Sequence, residues 1–142
     1  MVDKTKVNKI MEGQKRTKEE MLEHLYDELA PLLRMAQRFK EGWARDKRIY
    51  ELMLEEDNFK KIEPTYIFET LPEYWDLKKK QFSEKYQQDN AQSEARYEGF
   101  QTEINSMLED IRVLSEYLEK PSPEEVLGEE VIKQITEGDL NE

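Results

Sequence analysis

The chain has 142 residues, a formal net charge of -11 and no cysteine. That excludes a disulfide scaffold, a thiolate metal site and a cysteine nucleophile, and no apolar run approaches the roughly 20 residues that a membrane-spanning helix needs. Charged residues make up 39% and mean hydropathy is -0.98, yet leucines and aromatics recur at regular spacing and β-branched residues are sparse; this points to an all-α chain of long helices rather than to disorder or sheet.

Residues 1–18 carry six Lys/Arg against two acids. Residues 1–16 are expected to be a basic flexible arm, a solvated tail for which contact with nucleic acid is the minor reading. The segment lacks the apolar stretch of a secretory signal, so a cytoplasmic location is expected.

Residues 17–119 are expected to form a helical hairpin domain. Thr17 and Glu20 have the spacing of a capping box. From there Leu22, Leu29, Ala36, Trp43 and Tyr50 lie seven apart, with Leu25, Leu32, Phe39 and Met53 interleaved and Asp46 as the polar break. This is an a/d seam, and it predicts a first helix over about 18–57. Pro31 removes a hydrogen bond and clashes with the carbonyl of Asp27, so a kink near Pro31, or two nearly collinear helices, is expected.

The connection contains "TYIFETLPEYW" (65–75), an aromatic cluster between Pro64 and the first turn of a second helix, predicted over about 73–119. In that helix Tyr97, Ile104, Ile111 and Leu118 form one series, and Phe100, Met107 and Leu114 the other. Asn90 and Ser93 stand where apolar residues are due, and Trp75, Phe82 and Tyr86 resume on a shifted stripe. Folded back antiparallel, the hairpin sets Leu22 and Leu25 near Met107 to Ile111, and Trp43 near Tyr86. Asp46 and Asn90 either fix this register or mark a place where the helices part.

Residues 120–142 read as an acidic C-terminal segment. Pro121 stops the second helix, and Ser122-Pro123-Glu124-Glu125 is a second capping box with proline at the first helical position. It opens a short helix over about 123–136 with Val126, Leu127, Val131, Ile132 and Ile135 as its apolar face. Residues 119–142 hold eight acids and two lysines.

Little in the chain suits catalysis. There is one histidine, His24, no phosphate-binding glycine loop and no nucleophile–base pair. Glu20, His24 and Glu28 share i,i+4 spacing, but the second Glu-x-x-His of a di-metal bundle is missing. No enzymatic activity, cofactor or metal is expected. The basic runs Arg45 to Arg48 and Lys78 to Lys80 are matched by nearby acids, so direct nucleic-acid binding is not expected either.

The function that fits is a non-enzymatic protein–protein interaction module, a helical adaptor or assembly subunit. It would dock through apolar stripes and an aromatic hairpin tip whose candidate residues are Tyr66, Phe68, Leu71, Tyr74 and Trp75. The same aromatics could instead plug the space between parted helices. A homodimer would bury the stripes that a lone hairpin leaves exposed. The alternative is a small acidic inhibitor of a nucleic-acid-handling enzyme that occupies a basic site, as a phage-type anti-defence protein would. Mimicry of that kind needs a contiguous acidic face; docking as an adaptor needs an apolar or aromatic patch.

Overall fold

The computed structural model describes residues 3–62 and 72–138, and all regular structure among them is helical. The elements in order are α1 (Lys4–Met11), α2 (Lys18–Leu54), a 3-10 segment (Glu55–Ile62), α3 (Pro72–Tyr117), α4 (Pro123–Leu127) and α5 (Glu129–Thr136). The predicted hairpin is present: α2 and α3 pack against each other along their lengths. No helix among the described residues is long and apolar enough to cross a membrane.

The N-terminal segment differs from the flexible arm read in the sequence. Asp3 caps α1 by accepting from the amides of Thr5 (3.0 Å) and Lys6 (3.3 Å). Val7 is fully buried, with Ile10 and Met11 packed on the same core. These three residues have i, i+3, i+4 spacing, enough for one narrow apolar face on a two-turn helix. Lys6 pairs with Glu109 of α3 at 3.6 Å, but both side chains are exposed and the pair contributes little beyond orientation. Gly13, at φ +73°, turns the chain towards α2 in a backbone region that side chains disfavour.

The capping box at the start of α2 is formed. The amide of Glu20 donates to Thr17 Oγ1 and the amide of Thr17 to Glu20 Oε1, each at 3.1 Å. The helix then runs through Pro31 as one element, not as two. Asp27 and Pro31 both lie on the exposed side, where water can take the carbonyl that proline leaves without a donor. The buried stripe is Leu22, Leu25, Leu29, Leu33, Ala36 and Trp43, with Met21 beside it. Leu33 takes the inward place predicted for Leu32, and on α3 Leu108 takes that of Met107. A straight helix drifts about 20° per heptad against a 3.5-residue repeat, so the core stripe follows 3.6.

α2 ends at Leu54, three residues before the predicted end. Glu56 and Asp57 adopt left-handed conformations (φ +52° and +53°), each at a cost of about 1–2 kcal/mol. Asn58 Nδ2 donates to the carbonyl of Leu52 (2.6 Å), and Lys79 on α3 holds Asp57 at 3.2 Å. Those bonds offset part of the strain.

α3 closes with a Schellman motif. The amide of Lys120 donates to the carbonyl of Ser115 (2.8 Å) and that of Glu119 to Glu116 (3.2 Å), with Glu119 itself left-handed at φ +56°. The predicted single helix over 123–136 is broken into α4 and α5 by Gly128 at φ +95°. The break turns Val126 and Val131 outward, at 54% and 47% exposure, and sends Ile132 and Ile135 into the core.

These segments produce a molecule in two parts. In the first, which we call the base, α1 and α5 flank α2 and α3. Val7, Leu22, Leu25, Leu29, Ile104, Leu108, Ile111, Leu114, Ile132 and Ile135 form its core. Side chains of the long helices also satisfy the end of α5. Tyr97 Oη donates to the carbonyl of Ile135 (3.1 Å), Gln101 Nε2 to the same oxygen (2.8 Å), and Lys40 Nζ to that of Gln134 (3.0 Å). In the second part, the arm, α2 and α3 continue beyond Ala36 and Tyr97, and α1, α4 and α5 lend it no buried core residue.

Candidate interaction surface on the helical arm

At the root of the arm, Phe39 of α2 meets Phe100 of α3, ring centroids 5.8 Å apart, and the Arg96 guanidinium lies over both rings. Trp43 is buried, with the Lys47 ammonium 5.2 Å from its ring centre. Further out, Tyr50 packs on Phe82 and Tyr86, each with centroids 5.2 Å apart, and its hydroxyl donates to Asp89 Oδ2 at 2.7 Å. That bond raises the Tyr50 pKa, because ionising the phenol would set two negative oxygens together; partial burial and the charges of Asp89 and Asp46 act the same way.

These pairs define a register different from the expected one. Tyr86 is matched by Tyr50 and not by Trp43, a slip of about one heptad. Trp43 and Tyr86 still line a common space. It is an open cleft of about 570 Å³ between the helices, walled also by Asp46, Asn90 and Ser93. These are the polar interruptions seen in the two seams. Asp46 and Asn90 thus face a cleft, while the Tyr50–Asp89 bond and the Tyr50–Tyr86 contact join the helices beside it. Asn90 Oδ1 is buried there without a hydrogen-bond partner among the described residues, a costly arrangement for an amide unless something polar reaches it.

Five residues were singled out as the candidate docking tip. Tyr66, Phe68 and Leu71 lie outside the described residues. Tyr74 and Trp75 open α3 and are half-buried, with the Lys78 ammonium 5.4 Å from the Tyr74 ring centre. What sequence reasoning missed on the arm is its exposed aliphatic set: Ile49 at 55%, Leu52 at 41% and Leu77 at 52%. Their signal is their position off the a/d stripe. Ile49 precedes Tyr50, Leu52 precedes Met53, and Leu77 lies outside the Trp75–Phe82–Tyr86 series.

Charge divides along the same boundary. Residues 37–96 contain twelve basic and thirteen acidic side chains, so the arm is close to neutral. Residues 97–142 contain thirteen acids and three basic residues. Within the base, burial and neighbouring Glu109 raise the pKa of Asp110, with Lys9 of α1 acting against them. Burial pushes the Glu124 carboxyl up, but the Arg112 bond (2.8 Å through Nε), a backbone amide, the Arg112 charge and Ser122 together keep it below its usual value. His24 Nε2 lies 3.1 Å from Glu28 on the exposed side of α2.

Comparison with known proteins finds no matching family model, no matching curated protein and no matching solved structure.

Proposed function

We propose that the protein is a non-enzymatic protein–protein interaction module, a helical adaptor or assembly subunit, and that it docks through its arm. The observation that carries this reading is the contrast between the two parts. The base has a core shared by four helices, with Met35, Tyr117, Val126 and Val131 exposed around it, whereas the arm is a two-helix pair without such cover and leaves Ile49, Leu52 and Leu77 in the open. Two helices alone bury too little apolar surface to offset the ordering of the chain. A partner on the arm supplies the missing cover, and Trp75 and Tyr74 at its outer end are residue types that anchor interfaces.

The test compares capture by the tagged full chain, by Leu77→Lys and Trp75→Ala on the arm, and by Val126→Lys on the base. Capture of a partner that both arm variants lose and Val126→Lys keeps, with helicity unchanged, supports the reading. Equal capture by all four proteins overturns it.

One observation favours a second reading, an acidic inhibitor of a nucleic-acid-handling enzyme. The negative charge is concentrated in residues 97–142, beside a nearly neutral arm, as occupation of a basic site requires. In that case neutralising Glu98, Glu103, Glu129 and Glu130 to Gln abolishes binding, and binding weakens steeply with salt. Leu77→Lys then has no effect.

A further inference from the structure

We propose that the occupant of the arm is a second copy of this chain, laid antiparallel along the outer stripe of α2. This rests on the reading of the arm as an interaction surface and names its partner. The stripe is Arg45, Arg48, Ile49 and Leu52, continued by Glu55 and Glu56 just past the helix end, all of them exposed. The spacing of three and four places Arg45, Arg48, Ile49, Leu52 and the C-cap Glu55 on one side of the helix. Read outward along the arm, the stripe is basic, then aliphatic, then acidic.

Such an order is self-complementary. A two-fold axis passing between Tyr50 and Glu51 sets Ile49 against the partner's Leu52 and brings Arg45 within one residue's rise of the partner's Glu55, and each contact occurs twice, as an isologous interface demands. On α3, inward of Glu73 and Asp76 at its outer end, the order is the inverse, with Lys78 to Lys80 followed by Glu84, Asp89 and Glu94 nearer the base. Antiparallel stacking of like helices therefore pairs opposite charges on both. Pairing α2 with the partner's α3 would face basic runs with each other, so the charges select one arrangement.

Net charge points the same way. With the axis near residue 50, the two bases lie at opposite ends, about 25 Å from the axis at Leu33. That is beyond the Debye length of about 8 Å at physiological salt. The parts in contact are the nearly neutral ones. Ile49 also forms part of the cleft wall, so the second α2 covers that edge and turns the exposed pair into a four-helix arrangement.

The experiment is sedimentation equilibrium of the full chain over a concentration series. It compares wild type with Ile49→Lys, Arg45→Glu, Glu55→Arg and the double exchange Arg45→Glu/Glu55→Arg, each checked for helicity by circular dichroism. The expected result is a reversible monomer–dimer equilibrium. Each single substitution weakens it by about tenfold or more, and the double exchange restores it, because the order of charges is inverted but still self-complementary. A monomer at every concentration overturns self-pairing, and capture by the arm variants then judges the interaction reading separately. A dimer that none of the substitutions weakens overturns the α2 stripe as the contact.

Discussion

Glu119 shows how a single residue can sit against its own chemistry. It occupies the left-handed position that closes the Schellman motif after α3, where glycine avoids the steric cost of a side chain. Glu119→Gly should therefore raise stability by about 1 kcal/mol, read as an upward shift of the urea midpoint with an unchanged slope. Glu20 makes the opposite case. The Thr17 amide and hydroxyl bonds hold its carboxyl below the ordinary value of 4.5. A depressed folded-state pKa stabilises the protein above the unfolded value, and that contribution is lost as pH falls through the folded one. Glu20→Gln keeps the acceptor and removes the titration. It should flatten the acid side of the stability profile, which melting temperatures measured from neutral to acidic pH will show.

At the scale of elements, α2 departs from its local rules at Pro31, and exposure is the reason it can. The carbonyl of Asp27 loses its donor where water replaces it. Pro31→Ala restores the bond and a favourable helix residue, and should stabilise by about 1–3 kcal/mol; little or no gain in a denaturant titration would mean that the proline is not strained in this helix. Helix existence and the Thr17 cap were legible from spacing and side-chain chemistry. The register was not, because an a/d pattern repeats every seven residues and a one-heptad slip leaves it intact. The choice is made by contacts that the seam does not encode: Phe39 on Phe100, Tyr50 on Tyr86, and the Tyr50 hydroxyl on Asp89. α1 was hidden by its lysines. Its fold depends on Val7 finding a core built by residues a hundred positions away, which no local pattern reveals. The break at Gly128 was hidden by an apolar pattern that reads smoothly across it.

At the scale of the whole molecule, the two parts differ in how far they are finished. The base has a core covered by α1 and α5, although Met35, Val126 and Val131 stay exposed at its surface. The arm leaves a cleft at Asp46 and Asn90 and aliphatic side chains in the open. Sequence reading located the weak point of the seams and the aromatic connection beside it. It missed Ile49, Leu52 and Leu77, because a residue off the stripe is read as solvent-facing and passed over unless its apolar character is weighed. Local stability follows buried contacts, so the division has a direct consequence for amide hydrogen exchange. Exchange of the free protein, followed by mass spectrometry at low and high concentration, tests it. Residues 18–36 and 97–117 should exchange slowly at both concentrations, while residues 43–62 and 72–90 should exchange faster and slow down as concentration rises. An arm as protected as the base at low concentration, and unmoved by concentration, would contradict the account.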